Sequence, residues 1–307
     1  MQQTHGGWLM QPFDYYKPRT FQEAFKLLLH SGENVKVLAG GTDLIPHMRD
    51  GQWLPDAVVD IKSLPEMHSI DIKHIEPCCN VTATKCLFIG AAVTMNEIIR
   101  SGIISQHWNL LQQSAAAMGN EQVRNRATIG GNICTASPAA DTAPALFVLN
   151  AKVLIKRPGG DRCVEIKDFF VNPKINVLKQ DEIVVGLLIP SPFDGSRWHF
   201  EKLSRRKAGD LSIVSVAALA QPGNQGYTWK LALGAVAPTP IRAYEAETIL
   251  NQGYDDEAID RAAASAYRCC SPIDDVRASM EYRQLMVINI TRQVINFIRK
   301  QIEEEAA

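Results

Sequence analysis

Two short segments carry most of the residues suited to chemistry, Ala39-Gly-Gly-Thr-Asp43 and Thr128-Ile-Gly-Gly-Asn132. Each places a glycine pair beside a threonine and a second polar side chain. Glycines lack Cβ atoms, so successive backbone N–H groups can close around a pyrophosphate as a concave nest. The hydroxyls of Thr42 and Thr128 and the amide of Asn132 add donors, and two such loops would grip a dinucleotide from both sides. The same residues would equally serve as tight turns after strands. Spacing alone leaves both readings open. The common nucleotide folds are excluded more firmly. No two glycines are separated by a single residue, so G-x-G-x-x-G is absent, and G-x-x-x-x-G-K-[ST] is absent too.

The elements around these segments alternate in type. Thr20 and Glu23 have the spacing of a capping box ahead of an apolar stripe (Phe21, Phe25, Leu28, Leu29), and Gly32 stops that helix. Val35–Ala39 reads as a short strand feeding the first glycine loop, and Ala57–Ile61 and Leu87–Val93 as buried strands. Thr94 and Glu97 repeat the capping box, and Trp108 to Met118 reads as another helix. Ala127 to Asp141 fits neither an ordinary helix nor a strand: its glycines, proline and small side chains imply a close backbone approach. Val153–Lys156 and Cys163–Ile166 flank Pro158-Gly-Gly160 as a hairpin, and Glu182–Ile189 is a strand stopped by Pro190.

The best division of the chain is near Ser191–Ser196. Beyond it, strands are predicted at Trp198–Ser204, Ile213–Ala220 and Thr228–Ala235. Helices follow at about Ile241–Asn251, Asp256–Cys270 and Ala278–Glu303. Three strands and then three helices predict an α+β arrangement, an antiparallel sheet covered on one face.

Composition narrows the partners. A net charge of −1 with mixed signs argues against nucleic acid and against a membrane surface. No apolar run approaches a membrane span, and Met1 to Gln11 lacks the pattern of a signal peptide, so a cytoplasmic protein is expected. Seven cysteines, two pairs of them adjacent and none in C-x-x-C, argue against a disulfide framework and against zinc. Cys78, Cys79 and Cys86 read as reduced thiols, since iron–sulfur clusters usually take four well-spaced thiolates. No metal site is expected in this chain.

Taken together, Lys36-Val-Leu-Ala-Gly-Gly-Thr-Asp-Leu44 and Ala127-Thr-Ile-Gly-Gly-Asn-Ile-Cys-Thr-Ala-Ser-Pro-Ala-Ala-Asp141 resemble the medium, FAD-binding subunit of the xanthine dehydrogenase and carbon monoxide dehydrogenase family. Gly234-Ala-Val-Ala-Pro-Thr-Pro-Ile-Arg242 and Glu281-Tyr-Arg-Gln-Leu285 resemble its C-terminal module. The likeness implies a vanillyl-alcohol-oxidase-type FAD-binding domain over residues 1–190, its two α+β subdomains split near residue 62, and a C-terminal domain over 191–307. That second domain is expected to be a three-stranded antiparallel sheet with a helical layer.

The resemblance also implies roles for particular residues. Val37, Leu38, Ala39, Gly40, Gly41, Thr42, Asp43 and Leu44 would line the adenine–pyrophosphate side of FAD, with Thr128, Ile129, Gly130, Gly131 and Asn132 opposite. Asp141 would accept bonds from cofactor hydroxyls, Met118 and Val184 would make apolar contacts, and Lys202 would lie near the flavin ring. Plainer readings stand beside these: Asp141 as a helix cap, Lys202 as a solvated strand lysine, Met118 as core packing. Related 4-hydroxybenzoyl-CoA reductase flavin subunits carry a cluster loop just after Cys134; here the chain runs straight on, and Cys134 reads as a small apolar filler. The implied function is electron transfer. A molybdenum-cofactor large subunit oxidises the substrate, a small subunit relays electrons through [2Fe–2S] clusters, and FAD passes them to an acceptor, typically NAD⁺. No residue of this chain is expected to be catalytic toward the organic substrate. The rivals are a self-contained FAD oxidoreductase of the same fold and a non-catalytic nucleotide-binding assembly subunit.

Overall fold

A computed structural model describes residues 10–30, 34–74, 85–192, 194–223 and 226–306. Near the N-terminus, β1 (Asp14–Tyr16), α1 (Phe21–His30), β2 (Val35–Leu38), α2 (Leu44–Arg49) and β3 (Ala57–Asp60) form a small parallel sheet in the order β1-β3-β2. The central strand, Ala57-Val-Val-Asp60, is buried throughout, whereas edge strand β2 exposes Lys36 and Val37. The Thr20 hydroxyl accepts from the Glu23 amide at 3.2 Å, as a capping box requires, but the Glu23 carboxylate takes the Arg19 amide at 2.8 Å and not that of Thr20. Leu28 is buried and Leu29 is 52% exposed, so the stripe runs through Ala24 and Leu28. Gly32, Cys78 and Cys79 lie outside the described residues.

A second, antiparallel sheet follows, built from β4 (Ile70–His74), β5 (Lys85–Gly90), β6 (Lys152–Arg157), β7 (Gly160–Glu165) and, beyond the ribbon β8 (Phe170–Asn172) and β9 (Ile175–Asn176), β10 (Ile183–Pro190). The order is β4-β5-β10-β6-β7. Its helices are α3 (Met95–Arg100), α4 (Ile104–His107), α5 (Asn109–Ala116), α6 (Glu121–Arg124), α7 (Ile129–Cys134), α8 (Ala143–Val148) and α9 (Ile166–Phe169). The capping box at α3 is complete: Thr94 accepts from the Glu97 amide, and Glu97 from the Thr94 amide.

The C-terminal sheet contains β11 (Arg197–Leu203), β12 (Val214–Gly223), β13 (Gly226–Gly234) and a two-residue fourth strand, β14 (Ile241–Arg242), at the position predicted to start a helix. Here Arg242 clamps Glu247 at 2.5 and 2.7 Å, and α10 (Tyr244–Gln252) begins only after it. Then come α11 (Asp256–Arg268) and α12 (Met280–Ala306).

The expectation of a sheet covered on one face is corrected. Alternate residues of a strand point to opposite faces, and both faces of β12 are apolar. Val214, Val216, Ala218 and Ala220 join the core beneath α10 to α12, whereas Ala217 and Leu219, with Ala232, join the core that contains Ala143 and Leu146 of α8. Small residues allow the close approach: a Cβ on Gly234 would strike Ser215 Oγ and lie 3.0 Å from Cγ of Pro144. Replacing Gly234 with Ala is expected to lower stability by about 1–3 kcal/mol. Urea unfolding measures this, and an unchanged midpoint would rule out tight packing at this seam.

Candidate functional site

In the first glycine loop three carbonyls are engaged and four amides are open. The Ala39 carbonyl accepts from Lys62 Nζ at 3.0 Å, that of Gly41 from the Ile45 amide at 3.1 Å, and that of Asp43 from the His47 amide at 3.2 Å. The N–H groups of Gly40, Gly41, Thr42 and Asp43 have no acceptor among the described residues. Lys62 is itself held by Asp60 at 2.7 Å, and Asp60 accepts from the Tyr15 hydroxyl at 2.5 Å. Burial works to raise the Asp60 carboxyl, but hydrogen bonds from Lys62 and Tyr15 leave it lowered. Gly41 sits at φ +78°, a conformation that costs glycine little and other residues more.

The second loop is more regular than its composition implied. Thr128 caps α7, its hydroxyl accepting from the Gly131 amide at 3.1 Å. The amide of Ile129 goes to Val93, that of Gly130 to Ala91, and that of Asn132 to the Thr128 carbonyl. So Ile129 to Cys134 form a short helix, and its first amides are satisfied within the chain. A glycine-rich run can do this because a cap and two bonds to the neighbouring strand end supply what side chains do not.

The two loops meet at Gly40. A Cβ there would collide with the Arg126 carbonyl, whose carbon would lie 2.9 Å away. Thr135 Oγ1, at the end of α7, also donates to Asp43 Oδ2 at 2.8 Å. By contrast, a Cβ on Gly131 would meet only Thr128 Oγ1, at 3.0 Å. The result is a seam closed at Gly40 and open at Gly131, with four unclaimed amides on one side. An anionic pyrophosphate suits that donor set.

Asp141 does not cap a helix. Its carboxylate accepts from Lys202 Nζ at 3.0 Å and from the Ser212 hydroxyl at 2.7 Å. Both charged side chains are under a tenth exposed, at 7% for Lys202 and 6% for Asp141. Lys202 also donates to the Ala117 carbonyl at 2.9 Å, so it is not a solvated strand lysine. Burial is the largest influence on Asp141 and pushes its carboxyl up, opposed by the Lys202 charge and by hydrogen bonds from Ser212 and Lys202. A cleft of about 440 Å³ opens beside the pair, bordered by Ala117, Lys202, Arg205, Arg206, Lys207 and Asp210.

The remaining predicted residues take varied places. Leu44 packs in the small core with Met48 and Val58, and Val184 is buried in the main core, against which Met118 is partly packed. Val37 is 41% exposed, and Leu38 is half-buried. Asn132 Oδ1 accepts from the Thr142 hydroxyl at 2.6 Å, which leaves its NH₂ to donate elsewhere. Burial pushes the Cys134 thiol up to about 12, so it stays protonated. Cys86 is buried in β5. Among the described residues, no cluster of His, Cys, Asp or Glu has the makings of a metal site, and no helix is long and apolar enough to cross a membrane.

Several contributors carry no local mark in the sequence. Ser212 gives no local signal, nor does Lys62, which reaches the Ala39 carbonyl directly, or Tyr15, which acts through Asp60. Arg283, within Glu281-Tyr-Arg-Gln-Leu285, donates to Ile213 and Ala235 carbonyls and to Asp275. Burial works to raise the Asp275 carboxyl, but hydrogen bonds from Arg277 and the charges of Arg277 and Arg283 hold it well below the usual range. A depressed carboxylate adds stability above its unfolded pKa that is lost as pH falls toward the folded value. Stability should therefore fall below about pH 4 less steeply in Asp275→Asn than in the parent. Urea unfolding at stepped pH checks this, and equal slopes would discount the clamp.

Comparison with known proteins shows the family. Residues 11–192 match the FAD binding domain in molybdopterin dehydrogenase, and residues 198–297 match the CO dehydrogenase flavoprotein C-terminal domain. The chain is 30% identical to the carbon monoxide dehydrogenase medium chain of Hydrogenophaga pseudoflava, over 92% of this chain and 96% of that one. It is 32% identical to the xanthine dehydrogenase FAD-binding subunit of Escherichia coli, over 92% and 94%. The solved carbon monoxide dehydrogenase from Hydrogenophaga pseudoflava, which lacks the Mo-pyranopterin moiety, superposes with a TM-score of 0.87 at 30% identity, covering 95% of this chain and 99% of that one. The chain belongs to the xanthine dehydrogenase and carbon monoxide dehydrogenase family of molybdopterin dehydrogenases, as an FAD-binding medium subunit with the vanillyl-alcohol-oxidase-type fold.

Proposed function

We propose that this subunit is the electron exit of a heteromeric, cytoplasmic molybdenum hydroxylase or dehydrogenase. Its FAD takes electrons from [2Fe–2S] clusters on a small partner chain, while a large partner chain with the molybdenum cofactor oxidises the substrate. FAD then passes the electrons to NAD⁺ or another acceptor. The observation that carries this reading is the first loop: the carbonyls of Ala39, Gly41 and Asp43 are tied down while the amides of Gly40 to Asp43 lack acceptors among the described residues.

Residues 1–190 supply the two loops, and residues 191–307 supply Lys202 and, apart from Ala117, the lining of the cleft beside it. In this reading, loop amides and the Thr128 and Asn132 side chains hold the pyrophosphate, with Val37, Leu38 and Leu44 on the adenine side. Met118 and Val184 supply apolar contact to the flavin. The flavin supplies the hydride chemistry; the protein supplies position and electrostatics. With Lys202 at the flavin ring, its charge would favour the negative charge that the flavin gains on reduction. The exposed Arg205, Arg206 and Lys207 at the cleft support an anionic acceptor such as NAD⁺.

Purified protein is expected to be yellow and to release FAD, not FMN, on denaturation. Gly41→Val and Gly131→Val should each weaken FAD binding by tenfold or more, about 1.4 kcal/mol. Normal affinity in both would end the two-loop reading. Freed of other chains, the subunit should give no substrate-dependent NAD⁺ reduction. That activity should return with an iron–sulfur chain and a molybdenum chain. Robust turnover by the single chain would instead identify a self-contained flavoenzyme.

A further inference from the structure

Arg283 lies near the start of α12 and is 2% exposed. One guanidinium nitrogen donates to the carbonyls of Ile213 at 2.7 Å and Ala235 at 3.2 Å; the other donates to Asp275 Oδ1 at 2.7 Å. Each carbonyl belongs to a residue tied to one flank of the Lys202–Asp141 pair. The Ile213 amide donates at 2.8 Å to the carbonyl of Leu203, next to Lys202, and Ser212, next to Ile213, donates its hydroxyl to Asp141. On the other flank, the Ala235 amide donates at 2.8 Å to the carbonyl of Pro138, shortly before Asp141 in the chain. Ala235 has φ +64°, an uncommon conformation for a residue with a Cβ. Its N–H and C=O are both held, and such over-determination is what keeps a strained backbone in place.

We propose that Arg283 is a positioning residue for the Lys202–Asp141 pair, pinning the segments on both flanks so that Asp141 holds Lys202 at the cleft in one geometry and the pair sets the reduction potential of the flavin. This rests on the flavin reading above. A planar guanidinium reaches three acceptors at once, which an ammonium on a flexible stem does not. Buried ionic groups can often be replaced by apolar side chains with no loss of stability. An arginine that spans both flanks of a charged pair is thus better explained by geometry than by stability. The effect of the Lys202 charge on the flavin varies with distance and burial, so a small displacement of the pair alters the potential.

The test uses the FAD-loaded protein with its partner chains. Arg283→Lys, Ser212→Ala and the double variant are compared with Arg299→Lys, a control that alters the ion pair to Asp256 toward the far end of α12. FAD content, circular dichroism and flavin midpoint potential are measured. Arg283→Lys and Ser212→Ala should keep their FAD and shift the potential to more negative values. The double variant should shift no further than the larger single one, because both act through one pair. Arg299→Lys should leave the potential unchanged. An unshifted potential in Arg283→Lys with FAD retained would overturn the proposal. So would shifts that add in the double variant, or an equal shift in Arg299→Lys. If Arg283→Lys does not fold, Asp275→Asn, which removes the carboxylate partner of Arg283, takes its place in the same cycle: a negative shift supports the proposal, and an unshifted potential with FAD retained overturns it. Parent protein devoid of FAD would overturn the flavin reading instead.

Discussion

The buried pair between Lys202 and Asp141 joins the two halves of the chain across 61 positions. Charges that have left water must find partners. These find them in each other, in the Ser212 hydroxyl and in the Ala117 carbonyl. Meeting that requirement fixes much else. The start of β12 must lie beside the end of β11, α5 must end with its carbonyl toward Lys202, and the small-residue run before Asp141 must pack into the main core.

The same need for close approach explains where glycine and alanine are concentrated. Gly40 lets the first loop lie on the Arg126 backbone, and Gly130 lets α7 lie on Ala91. On the other side of the pair, Gly234 faces Pro144 at the start of α8. Three contacts of this kind bring the two loops, α8 and the C-terminal sheet together. Larger side chains at these positions would hold apart elements that carry the amides and charges of the site.

The two glycine loops, alike in sequence, differ in what they offer. In the first, three carbonyls are engaged and four amides are left over, whereas in the second a threonine cap and a neighbouring strand end take the amides. The asymmetry suits an elongated cofactor with one anionic centre. In the proposed reading one wall would donate backbone hydrogen bonds, and the other would contribute small size and the side chains of Thr128 and Asn132.

Local physics made part of this legible in the sequence. Capping at Thr94, the hairpin around Pro158-Gly-Gly160 and the three long C-terminal strands follow from side chains acting on neighbours a few residues away. Ala39 to Asp43 and Thr128 to Asn132 stood out because a glycine pair beside a threonine is a local pattern, and resemblance in those runs pointed to the family. Long-range contacts were not legible. That Asp141 binds Lys202 and Ser212, that Lys62 steadies Ala39, and that β12 is covered on both faces depend on residues distant in the chain. A serine or an alanine carries no mark of which distant partner it will meet. Hydrogen-bond donors and small surfaces acquire their roles only when packing selects their neighbours, and that selection belongs to the tertiary structure.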